Sequence, residues 1–246
     1  QKKRIPAVIW IQTAITFVAF VILFMAPGNE MRVASEITTW MPGYKELSVG
    51  NHLFMTIQWM LSSFANEGKA FFIAIWAAGF LLLVKSKKAK VYQSLAVVFS
   101  VVALLPYAGI SFFSEMGIGY IDIEQCLTEL PTWQTMTTQN RIAFFWWIAA
   151  VLFTLVLLWK VTGHSVFISM AFLGGIASEA VLHFSPTIYA SGARVYYLTD
   201  LMYLFIILWM VMRMDSEKKK NLFIAGVVVL GVANFLSQYS IMLLKL

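Results

Sequence analysis

Long apolar runs separated by short polar stretches are the dominant pattern of this sequence. A helix of roughly 20 apolar residues can cross the hydrocarbon core of a bilayer. We therefore expect an all-α integral membrane fold in which residues 1–246 form a single polytopic membrane domain. The pattern predicts about seven transmembrane helices, at about 6–26, 69–84, 91–110, 142–160, 164–184, 195–213 and 221–243.

Residues 47–66 form a further, less apolar segment directly before the second predicted span. Polar residues interrupt it, which is typical of an amphipathic helix. We expect this helix to lie in the membrane interface or to re-enter the membrane. Its predicted apolar face consists of Leu53, Ile57, Met60, Leu61 and Phe64.

The composition strengthens the membrane interpretation. The chain is 60% hydrophobic and 12% charged, whereas soluble domains carry roughly a quarter charged residues. A single core in a chain of this size could not hide so much apolar surface from water. The one cysteine, Cys126, excludes an intrachain disulfide.

The basic residues are grouped in short clusters beside the apolar runs, which explains the net charge of +6 without a nucleic-acid partner. Twelve of the 18 basic residues fall at alternate ends of the predicted spans, at 2–4, 85–90, 160 and 213–220. Because lysine and arginine concentrate in cytoplasmic loops, we expect a cytoplasmic N-terminus and an external C-terminus.

Glu179 and His183 are the first candidate site residues. They lie four positions apart near the outer end of the fifth predicted span, so they share one helix face. An ionisable residue inside a span is costly and is a functional candidate by default. The alternative is a structural contact, in which Ser178, Glu179 and His183 form hydrogen bonds to a neighbouring helix.

Arg194 ends the polar junction HFSPTIYASGAR and precedes the sixth predicted span. A guanidinium there can bind phosphate oxygens in a forked geometry, and the helix N-terminus also favours an anion. The alternative is a snorkelling residue at the membrane surface. Asn29 and Arg32 follow the first predicted span, where they either form a turn or contact an anion or a sugar.

Metal and cofactor chemistry is not predicted. The three histidines, His52, His164 and His183, are scattered along the chain, and this spacing does not predict a zinc site. Phosphate-loop, dinucleotide and nucleophile-elbow motifs are absent from the sequence. We expect no cofactor.

Two short motifs carry a family resemblance. The first is APGNEMR, with Ala26, Pro27, Gly28, Asn29 and Arg32, and the second is SPTIYASGAR, with Ser185, Pro186 and Arg194. With these motifs the chain resembles a family of bacterial multi-pass membrane proteins that are similar to GT-C glycosyltransferases. Those enzymes transfer sugars from a polyprenyl-phosphate donor at the outer face of the membrane.

The resemblance implies a function in cell-envelope polysaccharide or glycan modification at the bacterial inner (plasma) membrane. Arg194 and Arg32 would bind the phosphate of a lipid-linked sugar, and Asn29, Glu179 and His183 would complete the binding site. Membrane lipids and the lipid-linked sugar are the expected partners.

The resemblance extends to the C-terminal half of such proteins, whose complete members are about twice as long. GT-C enzymes place a catalytic acid in the first external loop, and the corresponding loop here lacks an acidic pair in that setting. We therefore expect the catalytic residue outside this chain, with an N-terminal half or a partner subunit as a further partner.

Two other functions fit the same polar residues. A lipid or solute transporter or flippase would use Glu179, His183 and Asp200 to line a path for protons or substrate. A non-catalytic membrane scaffold subunit would use them only to join helices.

Overall fold

The computed structural model describes residues 29–105, 138–163, 165–180 and 196–243, together with single positions between 14 and 25, between 133 and 136, and at 186. The described residues also include 3-10 helices at Tyr44–Glu46 and Lys87–Ala89 and a π-helical turn at Phe64–Gly68. They form eight α-helices: α1 (Asn29–Trp40), α2 (Val49–Ser63), α3 (Lys69–Leu83), α4 (Lys90–Leu104), α5 (Thr138–Val161), α6 (Val166–Ala180), α7 (Tyr197–Met212) and α8 (Glu217–Leu243).

The prediction of an all-helical fold is confirmed for these ranges, which contain helices and turns and no strand. Among them, one segment, Arg141–Val161 of α5, is long and apolar enough to cross a membrane, with a mean hydropathy of 2.4. The apolar helices α3, α4, α6 and α7 have 15 or 16 residues. At 1.5 Å per residue each spans about 22–24 Å, less than a hydrocarbon core of about 30 Å. Seven spans therefore stay a prediction.

Helix α1 lies in a stretch where no apolar run predicted an element. Glu30 in its first turn interacts favourably with the helix dipole. Ile37 of α1 and Met41, the residue after the helix, lie one turn apart and are buried, while most other described side chains of α1 are exposed. An apolar stripe this narrow does not form a run of about 20 apolar residues. A search for membrane-spanning runs therefore does not predict α1.

Helices α2 and α3 form one helical segment, and the π-turn joins them. The backbone stays right-handed helical on both sides, with φ −61° and ψ −42° at Ser63 and φ −55° and ψ −34° at Lys69. The Ser48 hydroxyl caps the start of α2 by accepting a 3.2 Å hydrogen bond from the Asn51 backbone amide. Because a π-turn is wider than an α-helical turn, it changes which faces α2 and α3 present to their neighbours.

The predicted apolar face of α2 has a buried part and an exposed part. Met60, Leu61 and Phe64 are buried, but Leu53 is 53% exposed and Ile57 is 40% exposed. The reason is that α2 packs against both α5 and α6. Two neighbouring helices bury polar positions of α2 that would stay exposed if α2 packed on one apolar surface. The buried residues of α2 are Met55, Thr56, Gln58, Trp59, Met60, Leu61 and Ser63.

Helix α3 is at the centre of the described bundle and contacts α4, α5, α7 and α8. The fully buried ring of Phe72 packs edge-on against Trp147 of α5, Phe172 of α6 and Tyr203 of α7, with centroid distances of 5.7, 6.2 and 5.5 Å. Aromatic pairs of this geometry contribute about 0.5–1.5 kcal/mol each beyond the area they bury. One side chain thus joins three helices to α3.

A buried hydrogen-bond chain and a close approach join α3 to α5. The indole of Trp76 donates to Thr154 Oγ1 at 2.7 Å, and the Thr154 hydroxyl donates to the Ala150 carbonyl at 2.7 Å. Both polar side chains are therefore satisfied inside the core, which avoids the cost of an unpaired buried donor. Gly79 of α3 lies against the side chain of Leu157 one turn further along α5.

The lysine-rich turns gather at one end of the bundle. Lys85, after α3, forms a 2.7 Å ion pair with Asp215, between α7 and α8. Lys160, near the end of α5, lies 5.9 Å from the centroid of the Tyr92 ring near the start of α4. We call this end, formed by residues 84–90, 160 and 213–220, the lysine end. The opposite end, where α2 and α6 finish and α7 begins, is the site end.

Asp215 bridges two lysines at the lysine end. Besides Lys85, it pairs with Lys219 of α8 at 2.9 Å, and Lys219 also donates to the Leu81 carbonyl at 2.9 Å. Hydrogen bonds from Lys85 and Lys219 hold the pKa of the Asp215 carboxyl well below its ordinary value. Its contribution to stability is therefore present above the ordinary carboxyl pKa and is lost as the pH falls towards the lowered value.

Replacing Gly79 with alanine tests the close approach of α3 and α5. A Cβ atom there would lie 2.7 Å from Cδ2 and 3.0 Å from Cγ of the fully buried Leu157. Overpacking of this kind costs about 1–3 kcal/mol, so we expect Gly79→Ala to lower the melting temperature of the purified protein.

Gly174→Ala in α6 is the matched control, because a Cβ atom there meets nothing within 4 Å. Alanine is a better helix former than glycine by about 1 kcal/mol, so this variant should melt at the same temperature as the wild type or higher. Equal melting temperatures for the two variants would contradict the packing of α3 on α5.

Candidate functional site

The carboxyl group of Glu179 is buried between helices at the site end. Glu179 is the penultimate residue of α6 and is 1% exposed. Its Oε2 accepts a 2.9 Å hydrogen bond from the hydroxyl of Ser63, the last residue of α2. Because an unpaired buried carboxylate is costly, this bond is part of what makes the position tolerable. It also joins α2 to α6.

Ser63 immediately precedes the π-turn Phe64–Gly68. Its hydroxyl lies 2.9 Å from Glu179 Oε2 and 2.8 Å from the Met60 carbonyl. A serine hydroxyl has one hydrogen, so it donates to one of these two acceptors at a time. The bond to Glu179 can therefore be exchanged for a bond within α2. Such π-turns are frequent at functional sites.

Helices α6 and α7 approach closely at Gly175, next to Glu179. A Cβ atom on Gly175 would lie 3.5 Å from both Thr199 and Tyr203 of α7. Thr199 Oγ1 donates to the Gly175 carbonyl at 3.0 Å and lies 3.1 Å from the Ser178 hydroxyl, which donates to the same carbonyl at 2.7 Å. The structure thus shows interhelical hydrogen bonds at the Gly175 carbonyl and at Glu179, and they fix the position of the carboxyl group.

Tyr203 is the most unusual polar group near Glu179. It lies one turn beyond Thr199, is 1% exposed, and its ring stacks on Phe172 with 5.5 Å between centroids. Its hydroxyl has no hydrogen-bond partner among the described residues, and it lies within electrostatic range of Glu179 and Asp200. An unpaired buried hydroxyl costs roughly 1–3 kcal/mol.

Two further polar side chains were not predicted as site residues, because only their polarity distinguishes them in the sequence. Gln58 of α2 is buried, and its Oε1 has no partner within the described part of the chain. Arg141 of α5 lies 5.0 Å from the centroid of the Trp133 ring and donates from Nη2 to the Trp133 carbonyl at 3.0 Å. Single polar residues in or beside an apolar helix are the pattern that could have found them.

Of the five predicted binding residues, the structure describes the side chain of Glu179. Asn29 and Arg32 belong to the first turn of α1, and their side chains lie outside the described part. His183 and Arg194 lie outside the described residues. Tyr196, two residues after Arg194, packs on Trp59 of α2 with 5.2 Å between ring centroids. This contact places the start of α7 beside α2.

The described ranges hold no group of three or more histidine, cysteine, aspartate or glutamate side chains that could bind a metal ion. What they hold at the site end is a buried carboxyl group and several hydroxyls, which can orient a polar ligand or transfer a proton. Comparison with protein-family models, with curated proteins and with solved structures found no match to this chain. The resemblance to GT-C-like proteins therefore stays a prediction.

Tyr203→Phe and Thr199→Val test the hydrogen bonding between α6 and α7. The Tyr203 hydroxyl has no partner among the described residues, so removing it should leave the melting temperature unchanged or raise it. Thr199→Val keeps the shape of the side chain but removes its bonds to Gly175 and Ser178, which should cost about 1 kcal/mol. A lower melting temperature for Tyr203→Phe than for Thr199→Val would show that the tyrosine hydroxyl has a partner.

Proposed function

We propose that this chain is a multi-pass protein of the bacterial inner membrane. Large apolar side chains cover the outer surfaces of α4, α5, α7 and α8: Val98, Phe145, Leu208 and Val229 are each more than half exposed. Apolar surface on several sides of one bundle is suited to contact with lipid rather than water. The backbone of each helix is satisfied internally, as a membrane requires.

Seven spans and a fixed orientation belong to this proposal. Six of the predicted spans overlap the helices α3 to α8, one helix each, and the Lys85–Asp215 pair brings two of their basic turns together. The concentration of lysine at one end assigns that end to the cytoplasm. The site end then faces outside, with a cytoplasmic N-terminus and an external C-terminus.

For the function itself we infer a glycosyltransferase-like role in cell-envelope polysaccharide or glycan modification, with a polyprenyl-phosphate-linked sugar bound at the outer face. The observation that carries this proposal is the buried carboxyl group of Glu179, which is held by Ser63 and lies near Tyr203, whose hydroxyl has no partner among the described residues. Carboxyl and hydroxyl groups form hydrogen bonds to sugar hydroxyls, and a carboxylate also accepts their protons. The two sequence motifs suggest the substrate class.

Each predicted site residue has a role in this proposal. Arg194 and Arg32 bind the phosphate, because guanidinium groups match phosphate oxygens in a forked geometry. Asn29 and His183 contact the sugar, and Glu179 orients a sugar hydroxyl or takes its proton. The residue that drives the transfer step is assigned to a partner subunit or an N-terminal half.

Replacing Glu179 with glutamine tests the proposal directly. The amide oxygen can still accept the hydrogen bond from Ser63, so the fold should persist, while the negative charge and the proton acceptor are lost. We expect sugar transfer from a polyprenyl-phosphate-linked donor, measured in membranes, to fall by at least about 100-fold. Glu217→Gln, at an exposed position of the lysine end, is the control and should transfer at the wild-type rate.

A second arm of this experiment uses Arg194→Ala, which should abolish transfer while the protein level is unchanged. Arg213→Ala is its control, because Arg213 lies over the Trp209 ring at the lysine end, 4.6 Å from the ring centroid. Wild-type transfer in both Glu179→Gln and Arg194→Ala would remove the proposed site from the mechanism.

A transporter or flippase is the second candidate, and the enclosure of Glu179 favours it. A carboxyl group that is 1% exposed reaches water only after the surrounding helices move, as they do in alternating access. His183 and Asp200 would then line the path with Glu179. Substrate-dependent uptake by proteoliposomes without sugar transfer would support this candidate. A scaffold subunit would show neither activity and would copurify with a stoichiometric partner.

A further inference from the structure

Helices α3, α4 and α8 enclose a groove of about 690 Å³. Its walls include Trp76 and Phe80 of α3, Val97 and Val101 of α4, and Phe223 and Gly226 of α8. Ser100 carries the one hydroxyl among the described residues that line it. The groove is therefore suited to a hydrocarbon ligand, because any polar group placed there would lose its hydrogen bonds to water.

The groove runs along the helices and begins near the lysine end. On α8 it extends from Leu222 to Ala233, a distance of about 16 Å at the rise of an α-helix. Gly226 and Ala225 contribute no large side chain, and a Cβ atom added at Gly226 would meet nothing within 4 Å. These small residues leave room for a chain that lies parallel to the helix axes.

Two exposed lysines precede the groove-lining stretches of α4 and α8 on the side of the lysine end. Lys218 precedes the lining residue Leu222 by one turn of α8, and Lys90 precedes the lining residue Val97 by two turns of α4. Both side chains are exposed. In contrast to Lys85, Lys219 and Lys220, neither forms an ion pair within the described part of the chain.

We propose that this groove binds one acyl chain of an anionic phospholipid, with the phosphate of the head group between Lys90 and Lys218. The charge of the two lysines complements the phosphate, and the apolar walls complement the chain. The proposal rests on the membrane location of the bundle and does not depend on sugar transfer, since Glu179 and its partner Ser63 do not line the groove.

A lipid fits this groove better than a second copy of the chain. Two copies in one membrane have the same orientation, so a dimer through this groove would bring two lysine ends together. Like charges at close range repel and disfavour such an interface. An anionic lipid instead reduces the positive charge of the same region.

The test uses the full chain in bilayers of phosphatidylcholine that contain a small fraction of spin-labelled phosphatidylglycerol. Electron paramagnetic resonance measures the labelled lipid that the protein immobilises, with spin-labelled phosphatidylcholine for comparison. We expect phosphatidylglycerol to be preferred. Lys90→Gln and Lys218→Gln should each lower this preference about fivefold. Lys45→Gln, an exposed lysine outside the lysine end, is the control and should leave the preference unchanged.

Gly226→Leu tests the groove itself. Its side chain should displace at least two methylene groups of the acyl chain and weaken binding at this site about tenfold or more. Gly231→Leu is the matched control on the same helix, because a Cβ atom there also meets nothing within 4 Å and the residue does not line the groove. Ala225→Leu, also in the groove, gives a second blocking variant if Gly226→Leu does not fold.

Three results would overturn the proposal. The first is unchanged phosphatidylglycerol binding in both groove variants. The second is a wild type that immobilises the two lipids equally. The third is a decrease in oligomeric mass on Gly226→Leu, measured by light scattering, which would identify a second copy of the chain as the occupant. Loss of sugar transfer with normal lipid binding would concern the site end alone.

Discussion

Because the outer surface of this bundle is apolar, its charged groups lie at the two ends of its helices. At the lysine end the charges are mostly basic and exposed, and Asp215 connects the turn after α3 to α8. At the site end the described carboxyl group of Glu179 is enclosed and bonded to Ser63. This separation follows from the cost of burying an unpaired charge, and it gives the two ends different chemistry.

The packing of α3 determines how firmly the site end is held. Phe72 contacts three helices, and Trp76 bonds to Thr154 in the core. Since α2 and α3 are one helical segment, these contacts also position Ser63, the donor to Glu179. The close approach of α6 and α7 at Gly175 positions the acceptor. The site therefore depends on the central helix α3, although no residue of α3 was predicted to belong to the site.

Apolar run length was enough to predict the helices α3 to α8 and their order, because each is a nearly uniform apolar stretch. It could not predict α1, where Ile37 and Met41 form only a narrow stripe. It placed Leu53 and Ile57 on the same apolar face of α2 as the buried Met60 and Leu61, because sequence periodicity contains no information about how many neighbours a helix will have. Glu179 was predicted as a site residue because an ionisable side chain inside a membrane span is energetically costly. Its partner Ser63 was not, since a single serine in an apolar helix has no distinctive spacing.

The central claim is that the lysine end and the site end lie on opposite sides of a membrane. Single cysteines at Lys87 and Lys45, introduced after Cys126→Ser, test it by labelling intact cells with a membrane-impermeant maleimide. Both parent residues are exposed, so access depends on the membrane and not on burial. We expect labelling of Lys45→Cys from outside and of Lys87→Cys only after the membrane is opened. Labelling of both positions from the same side would contradict the claim.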